Sequence, residues 1–137
     1  MADRIRVVDY YYVEIKDKPG EAAKALDALR AAGVNLMALH AFPKGRRSQL
    51  DFVPSDGAQL KAVAKQARFK LTGPKKVFLI EGDDRVGAAA DLLGKLAQAK
   101  VNVTAMDAVC SGPGRFGSLL WVKPRDVKKA AKTLGAA

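Results

Sequence analysis

Between Tyr11 and Ile15 the chain alternates, with Tyr11, Val13 and Ile15 on one side and Tyr12 and Glu14 on the other. A period of two predicts a strand. The period then changes. Ala22, Ala23, Leu26 and Leu29 fall at three- and four-residue steps, the apolar stripe of a helix, and Gly33 supplies its stop. Val34–Phe42 is apolar enough for a second strand, "PKGRR" reads as a hairpin connection, and "SQLDFVP" as a third strand. Leu60, Val63, Ala64 and Ala67 mark a second helix, and Phe69-Lys70-Leu71 a fourth strand. The same order then recurs. Phe78–Glu81, Val101–Val109 and "GSLLWVK" read as strands, with "CSGPGR" as the hairpin connection. Leu93 and Leu96 belong to one helix, and Val127, Ala130, Ala131 and Leu134 to another.

The recurrence is an internal duplication. At a shift of 67 positions Gly20 meets Gly87, Leu26 and Leu29 meet Leu93 and Leu96, and Val34-Asn35 meets Val101-Asn102, with no gap. Each copy follows the order β-α-β-β-α-β. The fold class is α+β, two ferredoxin-like modules in which a four-stranded antiparallel sheet buries one face under two helices. The second copy lacks a fourth strand, because only Gly135-Ala136-Ala137 follow Leu134. The first has one strand too many, "RIRV" at residues 4–7, running into "YYYVEI" as "RFKL" runs into "VFLIE". The modules are therefore expected at 9–73 and at 74–137, the second completed by residues 4–8 as an N-terminal strand. Thr72–Lys76 reads as a short linker between them. A loop of that length spans about 17–20 Å, less than the roughly 29 Å from the far edge of one module to the inner first strand of the next if one chain joined its modules by their second strands, so a second chain is expected to complete the assembly.

Composition narrows the function more than the fold. Of 137 residues, 49% are apolar, which suits a folded domain. No apolar run reaches the ~18 residues of a membrane span, and the N-terminus lacks the features of a signal peptide. Cys110 is the only cysteine, which fits a reducing, cytoplasmic setting. No catalytic His/Asp/Ser set, metal-ligand cluster or phosphate loop is present, so neither an enzyme nor a cofactor or metal is expected. The net charge is +10 and raises the question of nucleic acid. The basic residues are spread along the chain, many on the polar sides of the second helices, where a solvated face is the plain reading. The βαββαβ order is shared with RNA-binding RRM modules. The third strands, however, carry one aromatic each, Phe52 and Trp121, and only "GRFG" at 114–117 echoes an RNA-binding motif. Nucleic acid is not the expected partner.

The stretch "DKPG" followed by an Ala/Leu helix and "AGVN", with its second copy "DRVG…VN", resembles the start of an ACT domain. The resemblance covers nearly the whole chain and is nearest to the paired ACT modules of aspartate kinases, where one module is also inserted into the other. It implies a regulatory module that binds a free amino acid or similar small molecule and pairs modules edge to edge as a homodimer or larger assembly. The chemistry of the residues agrees. Amides of a helix's first turn favour a carboxylate, and Gly20 and Gly87 present them without a side chain in the way. Asp17 and Asp84 could meet an ammonium, and Asn35 and Asn102 offer both acceptor and donors. The ligand-binding residues implied are Asp17, Lys18 and Gly20 facing Asn102, and Asp84, Arg85 and Gly87 facing Asn35. Val86 stands where the first copy has proline. The alternatives are an RRM-like module using the basic surface and an assembly module with no ligand.

Overall fold

The computed structural model describes residues 3–137. Six strands and four helices follow one another as β1 (Arg4–Lys16), α1 (Glu21–Ala31), β2 (Leu36–Lys44), β3 (Arg47–Pro54), α2 (Gly57–Gln66), β4 (Thr72–Asp83), α3 (Ala88–Gln98), β5 (Val103–Cys110), β6 (Arg115–Val122) and α4 (Val127–Leu134). A single 3₁₀ turn, Pro124–Asp126, leads into α4. The chain divides into two compact units, Asp9–Lys75 and the remainder, which joins Lys76–Ala137 to the described residues up to Val8.

In the unit of residues 9–75, β2 pairs antiparallel with β3, β3 pairs antiparallel with β1, and the start of β4 lies beside β1. The register opposes Tyr11 to Phe52 and Val13 to Leu50. All four are buried on the helix side with Ala25, Leu29 and Leu60. Asp56 caps α2 by accepting from the Gln59 amide at 3.2 Å, and the Gln59 side chain donates to the carbonyls of Ala32 and Gly33 at the end of α1. One helix start thus fixes the other helix's end.

In the other unit the order is β1, β4, β6, β5, with the N-terminal part of β1 at one edge. Ile5 sits in the core with Phe78, Ile80, Leu92, Leu96 and Leu120. The Ala137 amide donates to the Ile5 carbonyl at 3.0 Å, and the Val7 amide donates to the Ala137 carbonyl at 3.2 Å. Residues near the two chain ends therefore complete this second module together.

The duplication is legible in the hydrogen bonds. Lys24 N–H reaches the Gly20 carbonyl as Asp91 N–H reaches that of Gly87, and Val34 reaches Leu29 as Val101 reaches Leu96. Gly33 and Lys100 close α1 and α3 in the same left-handed conformation, at φ 75° and 60°. Lysine there accepts the crowding that glycine avoids.

Three expectations need correction. Phe69-Lys70-Leu71 is not a strand. Arg68 turns left-handed at φ 60°, the Phe69 amide bonds back to Ala64 and the Leu71 amide to Phe69, so this backbone finishes α2 while the Phe69 and Leu71 side chains pack on the core. The fourth strand begins instead at Thr72, and the supposed linker Thr72–Lys76 is the first part of β4. There is no loop whose reach would demand a second chain. Likewise the strand at residues 4–8 and that at 11–15 are one continuous strand, β1.

Candidate functional site

In the unit completed by β1's first residues, β4 ends at Asp83 and the chain turns through Asp84, Arg85, Val86 and Gly87 into α3. This turn is tied down from two sides. The Arg115 guanidinium donates to the Asp83 carboxylate at 2.7 Å, and the Asp84 amide donates to the Gly114 carbonyl at 2.9 Å, so the β5–β6 hairpin tip holds the loop. Arg85 donates to the Asp91 carboxylate at 3.0 Å and lies 3.5 Å from that of Asp3. These acids hold its guanidinium above its ordinary pKa, the Asp91 hydrogen bond most of all.

Gly87 is the N-cap of α3, left-handed at φ 84°, and a Cβ built there would meet nothing within 4 Å. It offers no side-chain acceptor to the first-turn amides. Those of Ala89 and Ala90 have no partner within the helix. Next to them is a cavity of about 280 Å³ lined by Asp84, Arg85, Gly87, Ala88–Ala90, Ala108–Cys110 and Phe116. It lies just below the usual range of about 300–1,000 Å³ for ligand pockets. Its chemistry is a helix N-terminus, one carboxylate and one guanidinium around a floor of alanine, valine and phenylalanine.

Asp84, Arg85 and Gly87, expected to form one site with Asn35, line the cavity; Asn102, expected to face Asp17, Lys18 and Gly20, does not. Asn102 is exposed beyond the other end of α3, an 11-residue helix about 16 Å long. The first copy is laid out alike. Gly20 caps α1 at φ 89° without a side-chain bond, the Asp17 carboxylate accepts from Ser48 Oγ at 3.1 Å, and Lys18 lies 3.8 Å from Glu21. Asn35 is at the far end of α1, donating to Ser55 Oγ at 2.8 Å. Within its own unit, then, neither asparagine meets the glycine turn.

Ala108, Val109, Cys110 and Phe116 were missed by the sequence reading. They come from a hairpin that folds back on the loop, an event with no spacing signal. Cys110 is exposed beside Asp84, whose carboxylate accepts from the thiol and, by charge, pushes its pKa up. The thiol form is thereby favoured, which suits a wall residue and not a nucleophile. Among the described residues no group of three His, Cys, Asp or Glu could hold a metal ion.

The aromatic side chains of the third strands are not presented for base stacking. Phe52 and Phe116 lie in the two cores, and Trp121 is 8% exposed. No described helix is long and apolar enough to cross a membrane.

No protein-family model matches the chain, and no curated protein matches it. Solved structures do. Protein BT0572 from Bacteroides thetaiotaomicron superposes with a TM-score of 0.84 at 19% identity, over 96% of this chain and 88% of that one. The regulatory subunit of aspartate kinase from Thermus thermophilus, in its ligand-free form, gives 0.67 at 15% identity, over 98% and 96%. That from Thermus flavus gives 0.62 at 18%, over 98% and 95%. The fold is the ACT-type fold of aspartate kinase regulatory domains, and the match runs the length of the chain.

Proposed function

We propose that this chain is a regulatory module that senses a free amino acid or a similar small molecule, with no chemistry of its own. The observation that carries the reading is the cavity at the start of α3. An α-carboxylate fits the open first-turn amides of Ala89 and Ala90, where the helix dipole favours an anion. The Asp84 carboxylate stands at the same wall for an ammonium, and the apolar lining suits a small side chain. The turn at Asp17, Lys18 and Gly20 repeats this arrangement with its own glycine N-cap, so both copies are candidate binding sites, with Asn35 and Asn102 as the polar groups a partner module would supply. Such a partner comes with a homodimer, for which the exposed apolar side chains Met37, Leu39, Val86, Leu93 and Val109 supply surface.

A ligand that binds only the folded state raises the melting temperature. A thermal-shift screen of the twenty amino acids at millimolar concentration is expected to show a rise for one or a few of them. Asp84→Ala is expected to abolish it. No shift with any amino acid overturns the reading.

A further inference from the structure

The run Lys123 to Lys132, "KPRDVKKAAK", holds five cations and one acid. Along the sequence it resembles the other basic helices. The structure separates it from them. Val127, Ala130, Ala131 and Leu134 turn inward on the core, which leaves Lys123, Arg125, Lys128, Lys129 and Lys132 all exposed on the 3₁₀ turn and α4. Among the described residues none of the five is ion-paired, although most other cations of this unit have acids beside them: Arg4 and Arg6 meet Glu81, Arg85 meets Asp3 and Asp91, and Arg115 meets Asp83. The only acid nearby, Asp126, sits at the N-cap of α4 without a side-chain cap bond.

The placement is also costly for the helix. Lys128 and Lys129 occupy the first turn, which has no acid, and Arg125 and Lys123 precede it. The positive end of the helix dipole disfavours cations there, and like charges three and four residues apart repel. α1, by contrast, has Glu21 in its first turn and α3 has Asp91, and α2, which has no acid there, opens with the uncharged Gly57, Ala58 and Gln59. A merely solvated face would mix signs, as surfaces ordinarily do. An external anion relieves both costs at once.

Its class follows from what the face lacks. Protein interfaces need aromatic or apolar anchors at their centre. None of the exposed large apolar side chains lies on α4. Four of the five cations are lysines, whose ammonium binds phosphate as a point charge, and phosphate contacts of that kind position a duplex without reading its sequence. We propose that the exposed face of the 3₁₀ turn and α4 docks the phosphate backbone of a nucleic acid, without reading its bases. The proposal is independent of the amino-acid site, which lies at the start of α3.

The test is fluorescence anisotropy with a short DNA duplex of arbitrary sequence, titrated across about 50 to 200 mM salt. The triple variant Lys128→Glu/Lys129→Glu/Lys132→Glu is compared with Lys24→Glu/Lys65→Glu/Lys70→Glu, which changes net charge equally at exposed positions of the other unit. The first is expected to lose about tenfold or more in affinity and to reduce the salt slope by about 2.7, near 0.9 per lost phosphate contact. The second should lose little. Reversal at Lys128 and Lys129 relieves the dipole conflict in the first turn of α4, while Lys132→Glu adds one in its last turn, so a circular-dichroism melt verifies that binding is lost by a folded protein. Equal loss in both variants overturns the proposal, because net charge alone would then account for binding. Polyglutamate binding as tightly as the duplex in the same salt also overturns it, in favour of an acidic protein.

Discussion

Asp51 is the chain's most constrained carboxylate. It is 4% exposed on β3, accepts from Gln49 Nε2 at 2.8 Å and faces His40 Nδ1 at 3.6 Å. Burial raises its pKa, and the Gln49 bond and the His40 ring only partly oppose the rise. The native carboxyl therefore holds its proton to higher pH than the unfolded one, whose value is near 3.9. Just above that pH the native state binds more protons, so stability falls as pH rises through the window. Denaturation series at several pH values should show the parent losing stability relative to Asp51→Asn as pH rises from about 4; a constant or growing advantage for the parent would contradict this. None of it was readable in "SQLDFVP", where an acid among apolar residues looks like the solvated side of a strand. Glycines were more legible. Gly20 and Gly87 were read as the turns that start two helices, but not as left-handed, because an N-cap ordinarily takes an extended φ; the hairpin residues around Cys110 joined the site only through tertiary folding.

Helices and strands were read well where period and punctuation agree, as in α1 between Gly20 and Gly33. They were misread where backbone hydrogen bonds go somewhere the side chains do not announce. Phe69 and Leu71 are apolar like a strand, yet the Phe69 amide is spent on the end of α2. Asp9 and Tyr10 break the apolar alternation, yet β1 runs through them because strand pairing is set by the backbone. Two helix glycines separate packing from propensity. Gly94 lies inside α3 with open space around it, so Gly94→Ala is expected to stabilise the protein by about 0.5–1 kcal/mol. Gly57 begins α2, and a Cβ there would come 2.8 Å from the hydroxyl oxygen of the buried Tyr11, so Gly57→Ala is expected to cost about 1–3 kcal/mol. Melting curves for the pair decide, and equal effects would mean that Tyr11 yields.

At the scale of the whole molecule each unit is a complete ferredoxin-like module with its own core. The duplication made that legible, because a shift of 67 aligns every core helix. What the sequence could not convey is that β4 runs straight through the place where a linker was expected. The proposed homodimer therefore draws its support from exposed apolar side chains and not from a linker. Sedimentation at micromolar concentration is expected to give a dimer, and Leu93→Asp with Val109→Asp to shift it toward monomer. A parent that sediments as a monomer and still binds an amino acid would place the complete site in one chain.

The partnership of Ile5 and Ala137 has a consequence for biosynthesis. The segment Asp9–Lys75 is contiguous and can mature while translation continues. Ile5 and Val7 leave the ribosome before that segment, yet they pair with Ala137, which is made after it. The 62 residues from Lys76 to Ala137, made at about 5–20 residues per second, set that wait at roughly 3–12 s. During it an apolar β-segment stands unpaired on the nascent chain, open to chaperones and to neighbouring polypeptides. The charges of Arg4, Arg6 and Asp9 interrupt that segment and act as gatekeepers against premature association.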